Sequence, residues 1–303
     1  MTDAKDFSRG LFYAICAFSF WGIVPLFWKQ LVHVDSIEIV VHRMLWSFVI
    51  VGLYVVVRNG WQSFAPYLKD RQLLIRLALA SIIFSTNAGI FIWAVLAGYV
   101  VESSMGYFIN PLINVVFGVM FFNESLRPMQ WLAILLMVAA VAYLMLGFGA
   151  FPWIALSLAI TFASYGAIKK TVSVPSAHGM SIETAFLLVP CVLYLLYLES
   201  IQLGVFGDDV FTSSMLIMGG LVTLIPLLLF SAAAKLISMT ALGMTQYIGP
   251  TIQLIIGVWV YNEDFGIAQK VSFGLIWLAL VVYSLDQIAH NRKTKKLAAA
   301  AVS

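Results

Sequence analysis

Residues 105–124 read M-G-Y-F-I-N-P-L-I-N-V-V-F-G-V-M-F-F-N-E, and residues 244–263 read M-T-Q-Y-I-G-P-T-I-Q-L-I-I-G-V-W-V-Y-N-E. Each is an apolar run with a proline near its middle and a carboxylate at its end. Pro111 aligns with Pro250, Gly118 with Gly257, Val119 with Val258, Asn123 with Asn262 and Glu124 with Glu263, every pair 139 residues apart without a gap. Chance does not hold a register over that length, so the chain reads as two homologous halves.

The repetition continues outward. Phe18-Ser19-Phe20-Trp21-Gly22 is echoed by Phe162-Ala163-Ser164-Tyr165-Gly166, and Ser36-Ile37-Glu38 by Ser181-Ile182-Glu183. In the second pair the serine suits a helix N-cap and the glutamate its first turn, where the helix dipole favours an acid. Of 303 residues, 62% are hydrophobic and 10% charged. A soluble domain carries about 25% charged residues, because its surface faces water. Most of this surface must therefore face lipid.

Runs of roughly 20 apolar residues are long enough to cross a bilayer as helices. They fall at about 10–28, 37–57, 73–95, 103–122, 129–147, 151–168, 181–201, 211–233, 240–260 and 266–288. The first is longer than the core of a signal peptide, and Lys29 follows it, so it reads as a retained helix. The expected fold is an all-α integral membrane protein: ten transmembrane helices as two inverted five-helix repeats, residues 1–147 and 148–303, the second ending in a basic cytoplasmic tail. Five is odd, so the second half enters the membrane from the opposite side, as in many secondary transporters.

Loop charge fits that count. With both termini in the cytoplasm, Lys5, Arg9, Arg58, Lys69, Arg71, Arg76, Arg127, Lys169, Lys170, Lys235, Arg292, Lys293, Lys295 and Lys296 fall inside, against Lys29 and Lys270 outside. The net charge of +3 thus speaks for orientation rather than for nucleic acid. Cys16 and Cys191 both lie in apolar runs, which suggests neither a disulfide framework nor a zinc site. No cofactor is expected.

The strings F-W-G-I-V-P-L-F-W-K (20–29), H-R-M-L-W-S (42–47), I-W-A-V (92–95) and G-Y-F-I-N-P-L-I-N-V (106–115) resemble the RarD permeases. These lie within the EamA-type, ten-helix drug/metabolite transporter superfamily. Its hallmark in each half is similar to Pro111 followed by N-E-S-L and Pro250 followed by N-E-D-F. The resemblance covers nearly the whole chain. One departure is Leu135, where helix ten carries Gly274. The resemblance implies inner-membrane export or exchange of small metabolites or drugs, and the RarD name is associated with chloramphenicol resistance.

Features present in both halves are read as architecture, and polar residues present in one half as serving cargo. Pro111 and Pro250 lack an N–H and open their helices, as packing kinks or as gating hinges. Gly118 and Gly257 suit close helix contacts. Arg43 lies within helix two, aligned with Leu188, as a snorkelling or ion-paired group or as a hook for a carboxylate or phosphate. Glu38, His42 and Glu102 lie at similar depth as its candidate partners, and as an outer proton site. Asn87, Asn110, Asn114, Gln246 and Gln253 offer donors and acceptors to polar cargo or to neighbouring helices. Trp21, Tyr107, Tyr165 and Tyr247 are candidates for an aromatic cavity wall. Glu124 and Glu263 read as structural, capping the next helix or pairing with a base.

The expected function is a permease moving a small metabolite or drug-like molecule by alternating access, not an enzyme. Its partners are a small-molecule substrate and the lipid bilayer, with a homodimer left open. It is placed in a bacterial inner membrane. The alternatives are an integral-membrane enzyme, for which no H-E-x-x-H or interfacial acid cluster is present, and a channel-like protein.

Overall fold

The structure, a computed structural model, describes residues 4–122, 126–148, 151–237 and 245–300. Among these residues it is helical, with no strand. The longer helices are α1 (Ala4–Trp28), α2 (Ser36–Asn59), α3 (Arg71–Ala97), α4 (Val100–Phe122), α5 (Pro128–Phe148), α6 (Trp153–Lys170), α7 (Ser176–Ser200), α8 (Val210–Leu236), α9 (Ile248–Ile255) and α10 (Ile267–Ala300). Asn123, Glu124, the start of the ninth apolar run at 240–244, and the surroundings of Pro111 and Gly118 lie outside the described residues.

Among the described residues, six helical segments are long and apolar enough to span a membrane, within α1, α2, α3, α7, α8 and α10. Large apolar side chains stand on their outer faces, Leu53 at 62% and Val57 at 74% exposure among them. Such a surface is stable only against lipid. The chain is an all-helical integral membrane protein.

Local chemistry sets the helix starts, and it corrects two expectations. The cap of α2 is Asp35, whose carboxylate accepts from Ile37 N at 2.8 Å and Glu38 N at 3.4 Å, rather than Ser36. In the second half Pro175 precedes the start of α7 at Ser176. Proline has a fixed φ and no N–H, so it suits the position before a helix. Ser181 and Glu183 therefore lie inside the helix, and Ser181 Oγ donates back to Ala177 O.

Small residues set the packing. A Cβ on Gly106 of α4 would stand 2.7 Å from the Ala155 carbonyl oxygen of α6. One on Gly22 of α1 would stand 2.7 Å from Ile252 of α9, and one on Gly220 of α8 2.8 Å from the Trp46 backbone of α2. These contacts, with Asn87 of α3 bonded to α6, bring α1, α2, α3, α4, α6, α8 and α9 around a shared interior. Helices α5 and α10 instead pack on each other, with Ser272 Oγ donating to Ala140 O and Arg127 paired to Asp286. The family-typical Gly274 faces outward with open space at its Cβ, and its counterpart Leu135 is also exposed.

The second repeated stretch departs from a simple kinked helix. The helix restarts at Ile248 with Tyr247 as its cap, so Pro250 sits in a first turn, where a missing N–H costs little. The far end loosens into a π-helical turn, Ile256–Val260, with Tyr261 N donating to Ile256 O. Asn262 follows at φ +53°, which asparagine tolerates better than most residues.

Candidate functional site

The interior holds a cavity of about 210 Å³, walled by α1, α2, α3, α4, α6, α8 and the segment around α9. Its lining is largely aromatic. Trp21 and Phe230 meet at 6.0 Å, Tyr107 stands edge-on to Phe162 at 5.9 Å, and Tyr165 lies 4.8 Å from Phe84. Such walls suit an apolar or aromatic ligand body, with a few polar groups to orient it.

Arg43 carries the charge among the lining residues. Its Nε donates to Thr223 Oγ1 at 2.5 Å, and its guanidinium lies 5.2 Å from the Phe84 ring centre. Among the described residues no carboxylate lies within 4.0 Å of it. The partners expected for it are engaged elsewhere. Glu38 accepts from Val205 N and lies 3.8 Å from His42, while Glu102 faces the start of α6 at Ile154 and Ala155, its Oε1 without a hydrogen-bond partner among the described residues. A guanidinium held in an apolar pocket with no carboxylate within 4.0 Å among the described residues is costly.

The amides divide. Asn87 Nδ2 donates to Leu158 O at 3.0 Å and Thr161 Oγ1 at 2.9 Å, tying α3 to α6, and its Oδ1 accepts from Tyr107 OH at 3.5 Å. Both donors are thus committed to protein. Gln253 Nε2 donates to Trp21 O, while its buried Oε1 finds no partner among the described residues. Gln246 and Pro250 also line the cavity.

Three of the expected residues are not brought to this wall. Asn114 is exposed on the outside of α4. Tyr247 stacks parallel to Phe108 at 6.4 Å, outside the lining. Asn110 is 0% exposed and absent from the lining, with both amide atoms unpartnered among the described residues. Phe84, Phe162, Phe230 and Thr223 line the cavity without having been singled out. Aromatic residues abound in this chain, and nothing in the order of residues marks Thr223 as the partner of a group 180 positions away.

Glu263 caps a helix, though not the one that follows it. Its Oε1 accepts from Val100 N at 2.8 Å and its Oε2 from Val101 N at 2.7 Å, at the start of α4. Burial pushes this carboxyl above the usual range, while those two amides and Lys29 pull it back. Gly257 makes the contact possible, since a Cβ there would lie 2.8 Å from Val101 Cγ2. Lys29 Nζ donates to Val95 O and Leu96 O, closing the same corner. Among the described residues no three His, Cys, Asp or Glu side chains come together as a metal site.

Residues 8–146 match the EamA-like transporter family. The protein RarD of Escherichia coli K12 is 37% identical over 97% of this chain and 100% of its own length. Protein RarD of Streptomyces exfoliatus is 38% identical over 99% of this chain and 96% of its own. A Bacillus subtilis relative, the uncharacterized transporter YojE, is 37% identical over 95% of this chain and 97% of its own. One solved crystal structure superposes with a TM-score of 0.61 over 92% of this chain and 98% of the other, at 15% identity, which shows a shared fold.

Proposed function

The chain belongs to the EamA-like transporter family, within its RarD group, and on that footing we propose that it is a secondary carrier for a small organic anion, worked by alternating access. The observation that carries the reading is Arg43. Among the described residues this cation has no carboxylate within 4.0 Å, and it lines an aromatic-rich cavity that Gln253, whose Oε1 has no hydrogen-bond partner among those residues, also lines. The cavity's size suits a metabolite or drug-like molecule with an apolar body and one carboxylate or phosphate group. Trp21, Tyr107 and Tyr165 enclose the body, Arg43 holds the charge, and Gln246 and Gln253 bond its polar edges. Asn110 and Tyr247 serve packing in this state, Asn114 faces outward, and Asn87 holds α3 to α6.

The carrier is proposed as ten membrane-spanning helices in two inverted halves, with Pro111 and Pro250 as hinges and both termini in the cytoplasm of a bacterial inner membrane. The repeated stretches and the loop charges support that arrangement. Reporter tags on the two termini test it, and ends on opposite faces of the membrane overturn it.

The cargo is tested by ligand-induced melting of purified protein against amino acids, nucleobases, small carboxylates and phenicols. Carboxylates are expected to raise the melting temperature, and Arg43→Ala to remove the rise. Arg43→Lys is expected to weaken it, because an ammonium does not reproduce the two-pronged guanidinium contact. Hits confined to neutral compounds, or full binding of an acid by Arg43→Ala, overturn the anion reading. Counterflow of a hit in proteoliposomes separates a carrier from a channel, which conducts without saturating.

A further inference from the structure

Behind the cavity, on the side of the loop joining α6 and α7, lies a buried charge cluster. Glu183 is 5% exposed. Its Oε1 accepts from Lys169 Nζ at 2.5 Å, and its Oε2 accepts from Tyr165 OH at 3.2 Å. Tyr165 and Lys169 are one turn apart on α6, so both reach the same carboxylate. Tyr165 is itself cavity wall. Lys169 keeps 29% of its side chain exposed. The three groups form a thread: solvent, ammonium, buried carboxylate, phenol, cavity. Ser81 Oγ donates to Glu183 O and pins α3 to the same point of α7.

The thread exists in one half only. Trp21 aligns with Tyr165, Pro25 with Lys169 and Glu38 with Glu183. The first half therefore has neither the phenol nor the ammonium, and its carboxylate turns to the Val205 amide instead. The common architecture does not require the cluster.

We propose that Glu183 is a proton-binding site wired to the transport cavity through Tyr165, and that proton uptake there is coupled to cargo binding. The proposal rests on the carrier reading for its role, though not for its detection. A buried carboxylate held by one cation has two accessible states. It is ionised while Lys169 is paired with it, and it takes up a proton when that ammonium moves away or when the local field turns more negative. The titratable groups facing it are Lys169 and Tyr165 from α6, and Tyr165 shares the cavity wall with Arg43 of α2, both standing against the Phe84 ring. An anion seated on Arg43 neutralises the positive charge beside Tyr165. That favours the protonated state of Glu183, and by reciprocity a protonated Glu183 favours the anion. Proton and organic anion then travel together.

The test needs no cargo. Infrared difference spectra of the purified protein are recorded over the pH range in which it stays folded. A carboxylic-acid carbonyl band is expected to grow as pH falls, to shift on 13C-glutamate labelling, and to vanish in Glu183→Gln. Its midpoint moves up by about 1 to 3 pH units in Lys169→Met, which removes the opposite charge. It moves up by less in Tyr165→Phe, which removes one hydrogen bond, and in Arg43→Gln, which mimics neutralisation by an anion. Should Glu183→Gln not fold, the labelled band and the Tyr165→Phe shift carry the test. Absence of a titrating glutamate band overturns the proposal. So does a midpoint that stays in place in either Tyr165→Phe or Arg43→Gln, because the pair is then a structural bridge insulated from the cavity. A failure of the carrier reading appears separately, in counterflow.

Discussion

The two copies of the repeated stretch share a proline, a glycine and an Asn-Glu ending, yet their described helices differ. Around Pro111 the helix runs unbroken from Val100 to Phe122, whereas around Pro250 it restarts at Ile248 and ends in a π-helical turn. Asn114 faces outward, and its counterpart Gln253 is buried against Trp21. Tyr107 and Gln246, also counterparts, both reach the cavity. The shared residues supply a frame, and the positions that differ decide which copy presents what to the interior.

The difference is open to direct attack. The largest effect is expected from Gly257→Val, which pushes a side chain into Val101 and breaks the amide contacts of Glu263. A loss of about 3 kcal/mol, the upper end for overpacking, is expected as a collapse of the melting temperature. A variant that melts like the parent removes the α9–α4 contact from the account. Next comes the amide pair. Gln253→Leu strands the Trp21 carbonyl and costs about 2 kcal/mol, while Asn114→Leu is neutral or slightly stabilising in detergent. Equal losses in the two variants erase the proposed inside–outside contrast.

Smaller again is the proline pair. Pro111→Ala restores an interior helix hydrogen bond and raises stability by about 1 kcal/mol. Pro250→Ala, in a first turn, changes it little. The reverse order, read by thermal melting, overturns the placement of Pro111 inside a continuous helix and of Pro250 in a first turn. The smallest effect is on the pH profile. Because burial raises the Glu263 carboxyl, the wild type loses some stability as pH rises from the ordinary glutamate value, near about 4.3, through its raised folded value. Glu263→Gln flattens that loss, and a profile indistinguishable from wild type removes the effect of burial.

Much of the frame was legible beforehand because it rests on simple counts. A membrane-spanning run must be apolar over its whole length, so composition and run length reveal it. Arg43 was legible for the same reason, as a charge where charges are expensive. Its surroundings were not. Glu38, His42 and Glu102 share its depth on paper, but the fold turns Glu38 to the loop amide of Val205, His42 to Glu38 and the Phe206 ring, and Glu102 towards the start of α6, and leaves Thr223 beside the guanidinium. Glu263 read as the cap of a following helix and instead holds the start of α4. Glu183, expected in a first turn, sits inside α7, because Pro175 places the helix start at Ser176.

The sequence by itself determined that this chain lives in a membrane, and that a proline, a glycine and an acid recur at matched positions of two apolar stretches. Those are properties of single residues and their spacing along the chain. Only the tertiary structure decided which amide faces the cavity, which carboxylate meets which ammonium, and that among the described residues no acid stands within 4.0 Å of Arg43. Each of these depends on the rotation of one helix about its axis against its neighbours. In lipid, where nearly every face is apolar, that rotation is set by close glycine contacts and a few buried polar bonds, which residue order records only faintly.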